Sequence, residues 1–136
     1  MKTILVCYEE RPLATRVLER AAEFAKLFGA NVVVTSVAPV VHGKGLGPVD
    51  PADPPARHEA ELKDAAAQLT ALGVGSVETV VGLGDPAHGI LQAAEQHGAD
   101  LIVLGSHDGG AFSRVLGGSI GDTVAHKARA DVLIVH

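Results

Sequence analysis

The 136-residue chain predicts an α/β fold, an open parallel sheet of five strands with helices on both faces. Two observations carry that prediction. Four short runs, Ile4–Tyr8, Val32–Val37, Leu101–Leu104 and Val132–Val135, are rich in β-branched residues and apolar at successive positions. Strands buried on both faces of a parallel sheet have this composition. The stretches between them place their apolar residues at helical spacing instead. The resulting order, βαβαβαβαβ with right-handed crossovers, predicts one domain over residues 1–136.

Each element has its own signal. The first helix presents Leu13, Val17, Ala21, Phe24, Ala25 and Phe28 on one stripe, with Gly29 as its stop. A long connection, Ala38–Pro55, follows the second strand and holds five prolines and three glycines. It has no helical or strand period, and loops of that length are usually functional or disordered. Leu62, Ala65, Ala66, Leu69 and Leu72 form the second helical stripe, ended by Gly73. Ser76–Val81 alternates polar and apolar residues, as an edge strand does. Asp85-Pro86 reads as an N-cap with proline at the first helical position, ahead of Ile90, Leu91 and Ala94. Gly118 or Ser119 opens the last helix, with Ile120, Val124 and Ala128 on its stripe. Lys127 and Arg129 suit its C-terminal dipole.

Composition narrows the function. A net charge of −5 argues against broad charge-driven nucleic-acid binding, and 3% aromatics disfavour a base-stacking platform. No apolar run is long enough to span a bilayer, and the N-terminus lacks the pattern of a signal peptide. A cytoplasmic protein is expected. The single cysteine, Cys7, excludes an internal disulfide and reads as a small core residue. The seven histidines show no metal-ligand spacing, so no metal site is expected.

Strand-to-helix turns decide function in such sheets. After the first strand comes Glu9-Glu10-Arg11-Pro12, without the Gly-x-Gly-x-x-Gly of a dinucleotide site, and no P-loop consensus occurs anywhere. The acidic pair suggests a metal-binding receiver domain, but the Asp and Lys that reading requires on later strands are missing. Glu10 and Arg11 read most simply as a solvated helix terminus. The richest turn runs from Gly105 to Ser119, with glycines at a strand end and Gly118-Ser119 at a helix start. Converging N–H groups and a helix N-terminus make an anion site there. The same residues also read as a glycine-rich surface loop with a serine cap, and the residue chemistry leaves both open.

The chain resembles the universal stress proteins from end to end. Their nucleotide-binding members carry Gly-x2-Gly-x9-Gly-Ser/Thr in this turn, and Gly105, Gly118 and Ser119 match three of the four positions. Gly84-Asp85-Pro86-Ala87, Gly98–Ser106 and Ala130–Val135 match the flanks. The resemblance implies a Rossmann-like sheet of strand order 3-2-1-4-5 and an adenine nucleotide, ATP foremost, then AMP or cyclic AMP. It places Glu9 near adenine and ribose, Val37 against the adenine, and Gly105, Gly118 and Ser119 at the phosphates. Ser106 and Asp108, inside the motif, complete the candidate set. The resemblance also implies a homodimer joined through strand five, whose apolar edge nothing downstream covers.

Two positions depart from the family pattern. Glu10-Arg11 replaces Gly-Ser after the first strand, and Asp108 replaces the second motif glycine. A carboxylate ~5 Å from a phosphate repels it by about 3 kcal/mol at an effective dielectric of ~20, before screening. ATP affinity would then fall by roughly two orders of magnitude. A bridging Mg²⁺ would reverse that sign. Arg114, in the same loop, reads as an anion contact or as a solvated arginine. Asp108 therefore also supports an alternative, a dimeric member that binds no nucleotide and serves as an interaction or adaptor module. No catalytic constellation is visible, so an enzyme such as a slow ATP hydrolase ranks last.

Overall fold

The computed structural model describes residues 1–36, 55–82, 85–106 and 120–136. Five strands make one parallel sheet: β1 (Thr3–Tyr8), β2 (Asn31–Ser36), β3 (Val77–Val80), β4 (Leu101–Gly105) and β5 (Asp131–Val135). Among the described residues, four helices alternate with them: α1 (Ala14–Phe28), α2 (Pro55–Ala71), α3 (Pro86–His97) and α4 (Ile120–Lys127). The strand order is β3-β2-β1-β4-β5. In register, Leu5 of β1 lies beside Val33 of β2 on one side and Ile102 of β4 on the other.

The apolar runs sort by alternation into two cores. Ile4, Val6, Val32, Val34, Leu101 and Val103 face α1 and α2, where Val17, Leu18, Leu62 and Leu69 cover them. Leu5, Cys7, Val33, Ile102 and Leu104 face the opposite way, onto Ile90 and Ala94 of α3 and Val124 of α4. Because both faces of β1, β2 and β4 are covered, alternating polar residues have no place there. Ile4, Leu5 and Ile102 are fully buried, each contributing about 1.5–3 kcal/mol. β3 differs, being open on both faces at its centre and not alternately buried. Glu78 and Thr79 are exposed on an edge strand.

Helix ends follow their local chemistry. Gly29 and Gly98 take left-handed conformations, at φ 65° and 62°, to close α1 and α3. The Asp85 carboxylate accepts the His88 backbone N–H at 3.0 Å, the expected cap ahead of Pro86. α2 begins at Pro55 itself, so the proline that ended the loop in the sequence reading opens the helix. Its fixed φ and missing N–H suit that first position.

At the amino edge, one carboxylate ties the sheet's centre together. Asp100 accepts the backbone N–H groups of Lys2 at 2.7 Å and Thr3 at 3.0 Å. Its own N–H donates to the Thr3 carbonyl at 2.8 Å, and its carbonyl accepts from Asp131 at 3.1 Å. The hydrogen bonds from Lys2, then Thr3, hold its carboxyl below the ordinary value of 3.8. A depressed carboxyl stabilises the fold above its unfolded value, and that contribution is lost as pH falls through the folded value. Asp100→Asn is expected to lower the thermal midpoint at pH 7. It should also flatten the loss of stability below about pH 3.8. Thermal melts of both proteins between pH 2 and 7 check this; parallel curves would assign the acid transition to other carboxyls.

Candidate functional site

The chain builds β2 and β3 to one side of β1 and β4 and β5 to the other. The carboxyl ends of β1 and β4 are therefore neighbours whose following segments depart in opposite senses. Ligands of open α/β sheets bind in the crevice this reversal creates. Glu9, Glu10 and Arg11 leave β1 at this point, and Gly105 and Ser106 end β4 there.

Arg11 joins the two ends. Its Nε lies 3.3 Å from Glu9 Oε2, and its Nη2 donates to the Ser106 carbonyl. The Arg11 side chain is 21% exposed and Glu9 is 42% exposed, so the pair is partly sheltered. Ser106 is itself buried and donates its N–H to the Val135 carbonyl at 2.7 Å, extending the tie to β5. Arg11 is thus a clasp between strands and not the solvated terminus its sequence position suggests. The turn needs its backbone as well, since the Arg11 carbonyl accepts the Ala14 N–H at 2.9 Å while α1 has no side-chain cap.

Gly105 lies under side chains from this turn and from α1. A Cβ there would sit 2.8 Å from Arg11 Nη2, 2.9 Å from Leu13 Cδ2 and 3.2 Å from Val17 Cγ2. The side chains of Arg11 and Leu13, ahead of α1, and of Val17 on it lie over the backbone at the end of β4. The first glycine of the motif therefore has a structural reason independent of any ligand.

The end of β2 contributes hydroxyls. Thr35 and Ser36 are 1% and 5% exposed, and neither Thr35 Oγ1 nor Ser36 Oγ has a hydrogen-bond partner among the described residues. Side chains alternate, so Thr35 shares the face of Val33 toward α3 and α4, and Ser36 shares that of Val34. Gly82, just past β3, comes close to both: a Cβ would lie 3.1 Å from the Ser36 carbonyl and 3.3 Å from Thr35 Oγ1.

A third group lies where α2 meets the end of β1. His58 is buried on α2, with Nδ1 3.5 Å from Glu61 Oε2. Burial, reinforced by the charges of Asp64, Glu10 and Glu61, raises the Tyr8 hydroxyl above its ordinary pKa. Among the described residues no group of three or more His, Cys, Asp or Glu side chains is arranged to hold a metal. Cys7 is buried in the sheet, and desolvation pushes its thiol up to about 12, which removes it as a nucleophile.

Of the residues singled out by sequence, Glu9, Gly105 and Ser106 are brought together through Arg11. Val37, Asp108, Gly118 and Ser119 lie outside the described residues, as do Arg114 and most of Ala38–Pro55. Arg11, Thr35 and His58 were not singled out as site residues. The replacement of the family's Gly-Ser by Glu10-Arg11 was the available signal for Arg11. A hydroxyl pair ending an otherwise apolar strand was the signal for Thr35.

This geometry defines a doubly wound α/β protein whose candidate ligand crevice lies at the β1/β4 reversal. The family model of the universal stress protein family matches residues 1–136, and the chain belongs to that family. A universal stress protein of Thermus aquaticus is 34% identical over 134 residues, covering 98% of each chain. The structure of the universal stress protein from Archaeoglobus fulgidus in complex with dAMP is 25% identical, with a TM-score of 0.78. That match covers 100% of this chain and 98% of the other. A universal stress protein in complex with cAMP shares the fold at a TM-score of 0.77 and 24% identity, over 99% of this chain and 97% of the other.

Removing the clasp should cost stability. Arg11→Met keeps much of the aliphatic stem but loses the donors, leaving the buried Ser106 carbonyl without its charged partner. Urea denaturation is expected to show a loss of about 1–2 kcal/mol. A change below ~0.3 kcal/mol would mean that the bond adds nothing beyond solvent hydration.

Proposed function

We propose that this chain binds an adenine nucleotide at the carboxyl edge of the sheet, between the ends of β1, β2 and β4, and acts in a cytoplasmic stress response. The carrying observation is the convergence of Glu9, Arg11 and Gly105-Ser106 at the point where the strand order reverses. A carboxylate suits ribose hydroxyls, and a guanidinium beside a glycine-ended strand suits an anion. The dAMP complex of the Archaeoglobus fulgidus relative supports the ligand class. ATP is the favoured nucleotide, ahead of AMP and cyclic AMP. Val37, Gly118 and Ser119 are proposed to complete the site, with Mg²⁺ bridging Asp108 to the phosphates. The reading assigns no catalytic step.

Two features favour a second reading, a family member acting as a dimeric interaction module without nucleotide. Asp108 replaces a motif glycine, and the Arg11 guanidinium already engages Glu9 and lies over Gly105. In either case dimerisation is proposed through β5, an edge strand whose Val132, Leu133 and Ile134 are only partly buried.

One preparation distinguishes the readings. Mass spectrometry of ligand released from freshly purified protein is expected to show an adenine nucleotide. Calorimetric titration with ATP should be tighter in Mg²⁺ than in EDTA, by about tenfold if the cation cancels much of the Asp108 repulsion. Equal affinity in both buffers removes the bridging cation, and no binding in either establishes the second reading. Light scattering of the same sample should give twice the 13.9 kDa chain mass. A monomer at micromolar concentration would remove the β5 interface.

A further inference from the structure

We propose that the Arg11 clasp is opened by anions: Arg11 holds Glu9 in the free protein and releases it when the phosphate of a nucleotide takes the guanidinium. The proposal rests on the nucleotide reading above and adds a regulatory step to it. Arg11 is the one cation in the turn Glu9–Leu13, which also carries Glu10. Its Nε stands 3.3 Å from Glu9 Oε2, and its Nη2 donates to the Ser106 carbonyl. The Ser106 N–H is given to the Val135 carbonyl at 2.7 Å, so that amide is not open to a ligand. An anion arriving at this turn therefore meets two carboxylates and one guanidinium, and only the guanidinium attracts it.

The two contacts of Arg11 differ in how readily they break. Ser106 is 5% exposed, and a buried carbonyl that loses a charged donor has little water to replace it. The Glu9 side chain is 42% exposed, so water solvates its carboxylate once the arginine leaves. Exchange therefore falls on the Glu9 side, while the Ser106 bond keeps the guanidinium at the strand end. Packing holds it there as well, since Nη2 lies 2.8 Å from the point a Cβ of Gly105 would occupy. A guanidinium has five N–H donors, so one anchored on a single carbonyl still presents a fork to phosphate oxygens. Glu9, once released, is free to accept from the hydroxyls of a sugar. The two events assist each other: a sugar that takes Glu9 frees Arg11, and an anion that takes Arg11 frees Glu9. This coupling is reciprocal, and its ceiling is the strength of the Glu9–Arg11 pair.

The test splits the nucleotide in two, titrating the full chain with adenosine in the absence and in an excess of inorganic pyrophosphate. In the wild-type protein, pyrophosphate is expected to tighten adenosine binding about twofold to fivefold, the range of a partly exposed ion pair. Arg11→Met should bind adenosine that much more tightly without pyrophosphate, and gain nothing when it is added. Arg11→Lys keeps the charge but cannot span both partners, so it should show less coupling than wild type. Thermal melts of each variant set an assay temperature at which all are folded. A purely structural clasp would shift those melts and leave wild-type adenosine affinity indifferent to pyrophosphate. That indifference, or equal coupling in Arg11→Met, overturns the proposal, and the nucleotide reading stands if ATP still binds. A wild-type protein that binds neither adenosine nor ATP overturns both together.

Discussion

The reversal of strand order at β1 is the constraint from which the other features of this protein follow. β1 is hydrogen-bonded to β2 and β4 on its two sides and carries helices on both faces. Every one of its residues from Ile4 to Tyr8 is therefore buried, and the strand has no polar position to spare. Its two ends are consequently the places where polar chemistry collects. At the amino end Asp100 gathers the N–H groups of Lys2 and Thr3. At the carboxyl end Arg11 spans the crevice between strands that the chain reaches by separate routes.

The two ends are built for different purposes. Asp100 accepts two backbone N–H groups on one carboxylate oxygen, groups that need partners in any case. Arg11 is less completely occupied. A guanidinium offers five N–H donors, and the Glu9 and Ser106 contacts use only part of that fork. Ser36 and Thr35 likewise carry hydrogen-bonding capacity without partners among the described residues. The amino end pairs its carboxylate with backbone donors, while among the described residues the carboxyl end holds hydroxyls without partners. That asymmetry, more than any single residue, gives the crevice its functional character.

The fold was legible from periodicity because burial on both faces leaves a strong trace. β1, β2 and β4 could hardly be anything else once Val32-Val33-Val34 and Leu101–Leu104 were read as two-sided strands. The alternation of Ser76–Val81 likewise marked β3 as an edge. The candidate site was legible only where local chemistry speaks, as at the Asp85-Pro86 cap and the glycine ending β4. Arg11 escaped because its partner, the Ser106 carbonyl, is 95 positions away, and backbone acceptors leave no mark in a sequence. His58 escaped for a related reason. Arg57-His58-Glu59 looks like a solvated stretch, yet the helix turns His58 inward against the sheet.

The central claim is that adenine nucleotide binds where β1, β2 and β4 end. Titration of ¹⁵N-labelled protein with AMP, followed by amide chemical shifts, tests it most directly. The account predicts shifts concentrated at Glu9–Arg11, Thr35-Ser36, Gly82 and Gly105-Ser106, with the Asp100 clamp at the opposite edge unmoved. Shifts confined to the amino edge, around Lys26, Asn31 and Gly73–Ser76, where a separate cavity opens, would contradict it.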